Sequence, residues 1–222
     1  MNHNKSDVQL KQEIEAELRW DPKVNASQIG VSVDQGAVSL LGQVDTYAGI
    51  CAAEEAARRV GGVRDVAQSL TVKLLPHHAH SDQAIAEAAS RALTWDVFVP
   101  AAVTATVVGG AITLGGVVEW NFQRQEALRA VRNLAGVVAV NNNIILQPEP
   151  SALGWRGNLQ AALQRQATME APPIHVENSG GGTVTLTGRA SSWQAISDAV
   201  HVAWASPGVT EVIDRVVRPM SD

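Results

Sequence analysis

Apolar residues recur along this chain in two rhythms that follow one another in a fixed order. Leu10, Ile14 and Leu18 fall four apart, the spacing that lines one face of a helix. Asp7 stands ahead of them and suits an N-cap or first-turn position, where a carboxylate meets unpaired amides. Pro22 closes the segment, because the residue before a proline is steered away from helical geometry. Ile29, Val31 and Val33, then Val38 and Leu40, alternate with polar residues as half-buried strands do. Asp34-Gln35-Gly36 between them is so short a turn that the two strands must form an antiparallel hairpin. An alanine-rich helical stretch follows from about Thr46 to Val60, with Glu54/Arg58 and Glu55/Arg59 as i,i+4 pairs on its solvated face. Gly61-Gly62 stops that helix as a C-cap glycine would, and Val63, Val66, Leu70 and Val72 supply a third strand. The order is α-β-β-α-β, in which two helices cover the one face that a three-stranded sheet must bury.

The same sequence of rhythms is written three times. GAVSLLG at 36–42, GAITLGG at 110–116 and GTVTLTG at 182–188 are offset by 74 and 72 residues. A Gly-Val pair follows each: Gly62, Gly136 and Gly208 all lie 20 residues after the closing glycines Gly42, Gly116 and Gly188. A fixed internal period governs the fold before any local feature does. The chain therefore reads as α+β, with three tandem α-β-β-α-β modules at 1–75, 76–149 and 150–222, each a three-stranded mixed sheet covered by two helices.

In the second copy Asp82, Ile85, Ala89 and Leu93 mark the first helix, and Val103, Ala105, Val107, Ile112 and Leu114 mark the hairpin. Phe122, Leu128, Val131 and Leu134 carry its second helix, and Val137 to Leu146 its last strand. The third copy departs most. Ser151 replaces the opening aspartate, Trp155, Leu159 and Leu163 mark the helix, and Gly180-Gly181-Gly182 predicts a looser hairpin turn. The junctions Pro76-His77-His78-Ala79-His80 and Pro148-Glu149-Pro150 are short, and proline makes them semi-rigid spacers.

Charge and composition narrow the function by exclusion. The net charge of -5 divides as -2, -2 and -1 over residues 1–75, 76–150 and 151–222, so no basic face invites nucleic acid. A single cysteine, Cys51, excludes an internal disulfide framework and any multi-cysteine metal site, and among its alanines it reads as a small buried residue. No run approaches 18 apolar residues, and the N-terminus enters a charged helix with no stretch of signal-peptide type. These features predict a cytoplasmic protein, or a periplasmic one if the N-terminus is processed.

The recurring residues resemble the BON domain, a bacterial module of an opening aspartate and helix, a G-x-V-x-L-x-G hairpin strand, a second helix and a G-V-x-x-V strand. The resemblance covers nearly the whole chain and implies the α-β-β-α-β fold already read from the periodicity. It also implies an association with phospholipid or the cell envelope, and a stress-associated role, since tandem copies occur in osmotic-stress proteins of the OsmY type.

Candidate chemistry is sparse. The nine motif glycines (Gly36, Gly42, Gly62, Gly110, Gly116, Gly136, Gly182, Gly188 and Gly208) serve geometry. Six tryptophans stand beside two phenylalanines and one tyrosine. Trp20-Asp21 and Trp95-Asp96 occupy matching positions and read as a repeated structural plug, and Trp193 with Ile196 and Val200 as a buried stripe. Trp120 and Trp155 have no tryptophan counterpart in the other copies and are candidates for contact with a partner or a bilayer surface. His77, His78 and His80 could ligate a metal, but only Asp82 is near to complete a shell, so a solvated linker is the simpler reading. Gly180-Gly181-Gly182 lies between strands with no lysine following, unlike a phosphate-cradling loop. No G-x-S-x-G or H-E-x-x-H motif is present, and no carboxylate or histidine recurs at one position in all three copies. The sequence predicts a non-enzymatic interaction protein, without cofactor or metal, that binds a macromolecular partner. The alternative is a peripheral phospholipid binder, for which Arg124, Arg129 and Arg132 on one helix offer a local basic cluster.

Overall fold

A computed structural model describes residues 5–147, 174–180, 182–190, 193–206 and 208–217. It is α+β, with helices laid on mixed sheets. The chain divides into two compact bodies, one of residues 1–96, 104–114 and 128–142, the other of 97–103, 115–127 and 143–222.

The first body opens with α1 (Asp7–Trp20), β1 (Ile29–Asp34), β2 (Ala37–Val44), α2 (Tyr47–Arg59) and β3 (Asp65–Val72). The sheet order is β1-β2-β3, with β1 antiparallel and β3 parallel to the central β2. Helix α1 begins because Ser6 caps it in a reciprocal box with Gln9, and its stripe of Leu10, Ile14 and Leu18 is buried. Helix α2 is capped by Thr46, and Ala53, Ala56 and Ala57 let it sit close on Val38, Leu40 and Val44 of the sheet in one core. The helix stops earlier than its glycines suggested. Val60 is the C-cap in extended conformation, and Gly62, at φ 107°, turns the chain into a strand that starts only at Asp65.

Arg59 does not pair with Glu55 as the i,i+4 spacing predicted. It crosses to α1, where its guanidinium meets Glu17 at 3.0 Å and Asp21 at 2.8 Å. Glu54–Arg58 does form, at 2.8 Å. The Arg59 guanidinium holds the Asp21 carboxyl below the usual carboxylate range. That contribution is complete above the ordinary aspartate pKa and fades as pH falls through the lowered value. Arg59→Ala is expected to cost at most about 1 kcal/mol at neutral pH, given that half of the arginine is exposed. In urea titrations at several pH values, the gap between wild type and variant should close only in acid, below the ordinary aspartate range.

The same body contains α3 (Asp82–Trp95), β4 (Thr104–Val108), β5 (Ala111–Gly115) and β7 (Ala139–Asn142), with sheet order β4-β5-β7. Ser81 caps α3, whose Ile85, Ala89 and Leu93 are buried, as are Ile112 and Leu114 of β5. The strand expected from Val137 to Leu146 is broken. Its first part, β7, runs parallel to β5, and its last two residues form β8 (Ile145–Leu146), parallel to the short β6 (Val117–Val118) in the second body. The interruption falls where Gly115-Gly116 lies opposite Asn143-Ile144, and the ladder resumes with the Gly116 carbonyl accepting from the Ile145 amide at 2.9 Å.

Helix α4 (Asn121–Arg132) contributes its first turns to the second body, and ends two residues before Leu134. Phe122 is exposed rather than part of a buried stripe. Beyond the undescribed segment come β9 (His175–Gly180), β10 (Thr183–Arg189), α5 (Trp193–Trp204) and β11 (Glu211–Val217). The sheet again has its second strand in the centre, antiparallel to β9 and parallel to β11, over a core of Val184, Leu186, Ala199, Val202, Ala203 and Val209. The third hairpin is not lengthened: β9 ends at Gly180 and β10 begins at Thr183, with a register shift between Thr183 and Val184 that leaves Ser179 without a partner residue on β10.

Candidate interaction surface

The residues that recur in the sequence meet at one node in each repeat. The carboxylate of Asp7 accepts hydrogen bonds from the hairpin-turn amides of Gln35 at 2.8 Å and Gly36 at 3.1 Å. Asp82 does the same for Gly109 at 2.7 Å and Gly110 at 2.8 Å. Serines 6 and 81 are the caps, so the amides these aspartates meet belong to the hairpin and not to their own helices. Ser151, the third counterpart, lies outside the described residues. The turn glycine then reaches the second glycine motif. The carbonyls of Gly36, Gly110 and Gly182 accept from the amides of Arg64, Val138 and Thr210 at 2.8, 3.0 and 2.9 Å. A Cβ added at those glycines would meet the carbonyl oxygens of Gly62, Gly136 and Gly208 at 3.1, 2.8 and 2.6 Å. The two motifs keep their 20-residue spacing because they touch. All nine motif glycines have positive φ, and the node they help to build is scaffold.

What the scaffold displays is apolar. Trp20 and Trp95 are not plugs: each is the last residue of a 14-residue helix, and they are 81% and 85% exposed. Trp20 forms the rim of a shallow cleft of about 560 Å³ lined by Glu13, Glu17, Arg59 and Val60. In the second body, Val97 and Phe98 are exposed beside Phe122, whose ring meets Phe98 edge-on at 6.1 Å. Trp120 is half-buried, with its amide held by the Gln123 side chain at 3.1 Å. Trp155 and the side chain of Trp193 lie outside the described residues, while Ile196 is buried as expected and Val200 partly so.

The α4 arginines form no open basic cluster. Arg132 pairs with Glu55 at 3.2 Å, Arg124 lies 5.5 Å over the ring of Trp204, and Arg129 is also engaged. Burial lowers the pKa of Arg124, a cost that the indole face offsets in part. Cys51 is half-buried, and burial pushes its thiol up, with the Arg132 charge pulling the other way. A protonated thiol is a poor nucleophile, so Cys51 should alkylate far more slowly in native than in urea-denatured protein, as mass spectrometry would show. His77 and His78 sit in a single 3-10 turn with ring centroids 4.2 Å apart. Among the described residues no group of three or more His, Cys, Asp or Glu is placed to hold a metal ion. Nor, among them, is any helix long and apolar enough to cross a membrane.

The recurring node and its spacing define a protein of tandem repeats of one module. The chain belongs to the BON domain family, which matches at residues 6–73, 81–148 and 155–218. This is a family of non-enzymatic binding domains. No curated relative matches the chain. Among solved structures it is similar to CdsD, a structural protein of the type III secretion system of Chlamydia trachomatis, at 15% identity and a TM-score of 0.27 over 96% of this chain and 93% of that one. The periplasmic domain of the type III secretion inner-membrane protein PrgH from S. typhimurium gives 16% identity and a TM-score of 0.22 over 86% of this chain and 93% of that one. Likenesses of that size carry no functional conclusion.

Proposed function

We propose that this chain is a non-enzymatic interaction protein whose three repeats, at 1–75, 76–149 and 150–222, act as binding modules for a macromolecular partner in a stress-associated role. The observation that carries this reading is the pair Trp20 and Trp95, equivalent in two repeats and each exposed to solvent over most of its surface. A large indole exposed once is unremarkable, but exposed twice at one position it answers to no packing need and offers a repeated contact. Aromatic anchors dominate binding energy at protein interfaces. Two such sites on one chain allow weak contacts to combine. Trp120 and Trp155 would add contacts specific to their own repeats.

BON domains bind phospholipid or membrane surfaces, and exposed indoles suit a bilayer interface. The net charge of -5 and the engaged arginines of α4 oppose anionic lipid, which keeps a bilayer as the second reading. Flotation with anionic and with zwitterionic vesicles separates the two. The proposal expects no flotation with either, together with crosslinks to protein from a photoreactive residue at position 20 or 95. Flotation that is lost in Trp20→Ala/Trp95→Ala would transfer the function to lipid. Because both side chains are exposed, each alanine variant should keep its stability to within about 0.5 kcal/mol.

A further inference from the structure

The apolar alternation of each repeat's last strand is interrupted once, and always at the same place. Gln68, Asn142 and Asp214 are offset by 74 and 72 residues, the offsets of the glycine motifs themselves. Each has an apolar residue two positions away on both sides: Val66 and Leu70, Val140 and Ile144, Val212 and Val216. Each stands in register with a buried leucine of the central strand, Leu40, Leu114 or Leu186. Opposed residues share a face, so all three lie on the helix-covered side, where another aliphatic residue would fit the pattern. What these three residue types have in common is a side-chain oxygen that accepts hydrogen bonds.

In the first and third repeats that oxygen fills the same backbone donor. Gln68 Oε1 accepts from the Leu70 amide at 3.1 Å, and Asp214 Oδ1 from the Val216 amide at 2.9 Å. Leu70 and Val216 are equivalent, each opposite the closing glycine of its repeat, Gly42 or Gly188. Strands β3 and β11 each stand last in their sheets, so one side of each is an edge. Backbone groups along a strand point alternately to its two sides. The Lys73 amide donates to Val44 after β3, and the Val217 carbonyl accepts from Ala190, so both point toward the central strand. Leu70 and Val216 lie an odd number of residues from these, and their amides therefore point to the free edge. The Val66 amide, on the same side as that of Leu70, is filled by the Asp65 carboxylate at 2.8 Å. Gln68 and Asp214 are themselves exposed. We propose that Gln68 and Asp214 are edge guards, which close the last strand of their repeats to pairing with a second copy of this chain by filling an amide that an incoming strand would need. Free strand edges are templates for such pairing, and inward-pointing polar residues on an edge strand blunt them. Asp65 adds a second filled amide on β3. The inference is independent of the tryptophan surface, because it uses neither Trp20 nor Trp95.

The test combines amide hydrogen exchange by NMR with sedimentation velocity of the full chain over a concentration series. The proteins are wild type, Asp65→Ala/Gln68→Ala, Asp214→Ala and Asp214→Asn, each checked for fold by circular dichroism. In Asp214→Ala the Val216 amide should exchange about fivefold faster or more, as the loss of one hydrogen bond implies. The Ala190 amide, which donates to Val217, should keep its rate. The paired variant should show the same acceleration at Val66 and Leu70 and spare Lys73. Both alanine variants should dimerise more strongly than the wild type, because two like edges pair about a two-fold axis. Asp214→Asn keeps an oxygen acceptor and should match the wild type in both measurements. Unchanged exchange at Val66, Leu70 and Val216 overturns the proposal, and so does faster exchange without added association at any concentration. Association of Asp214→Asn as strong as that of Asp214→Ala overturns it too, because the charge and not the filled amide would then be the guard. Should the paired variant fail to fold, Gln68→Ala alone replaces it, read at Leu70.

Discussion

Alanine in place of Gly42 should unfold the first repeat, and alanine at Gly116 should do the same to the second. The Cβ of residue 42 would lie 1.9 Å from the Gln28 carbonyl oxygen, and that of residue 116 would lie 2.3 Å from the Ala102 oxygen. Both obstacles are backbone of the neighbouring segment, so no rotamer can relieve them. Both positions also hold φ values, 131° and 125°, that non-glycine residues rarely adopt. Steric conflict and strained backbone act together, and the expected loss is at least about 4 kcal/mol, at the extreme of single substitutions. Gly30→Ala is the internal control. It lies in β1 with no positive φ, and its nearest new neighbour would be the Leu41 oxygen at an ordinary 3.7 Å. That variant should unfold with the wild type in a urea titration followed by circular dichroism, whereas Gly42→Ala should show an early transition or none. A Gly42→Ala protein with wild-type stability would mean that β2 does not pass Gln28 as described.

The second large effect is expected at the aspartates. Asp7→Ala removes the acceptor of two hairpin-turn amides, and Asp82→Ala does so in the second repeat. Hydrogen bonds to an ionised carboxylate contribute more than neutral ones, and losing one partner leaves the amides to find water. The Gly36 and Gly110 bonds are partly shielded, which makes replacement by water incomplete. Each alanine variant should lose about 2 kcal/mol, read as a lower midpoint in thermal or urea unfolding. Asp→Asn should recover part of that loss, since one oxygen can still accept. Equal stability of Asp7→Ala and wild type would remove the aspartate from the scaffold.

Much of this scaffold was legible in the sequence, because it depends on residues with few alternatives. A glycine forced to positive φ, an aspartate opening a helix and apolar residues at period two or four can be read one at a time. The node they build was not legible, since Asp7 meets Gln35 across 28 residues and nothing local announces it. Arg59 likewise had a plausible partner at i−4 and took two others from α1, at separations of 42 and 38 residues. The surface tryptophans were misplaced for a reason the sequence did contain. Trp20 follows Leu18 by two residues, about 200° around a helix, which puts it opposite the buried stripe. Trp95 stands in the same relation to Leu93. Matching positions suggested a core role, but helical phase pointed outward, and phase prevailed. In the second repeat the ladder that the apolar pattern carried straight through breaks after Asn142, where the paired glycines 115 and 116 lie opposite Asn143 and Ile144.

The central claim is that two repeats present the same contact to a partner. It is tested most directly by quantifying crosslinked partner protein for wild type, Trp20→Ala, Trp95→Ala and the double variant, all at equal concentration. Equivalent surfaces predict comparable partial losses for the two single variants and near-complete loss for the double. Retention of full crosslinking by the double variant, or dependence on one tryptophan alone, would contradict it.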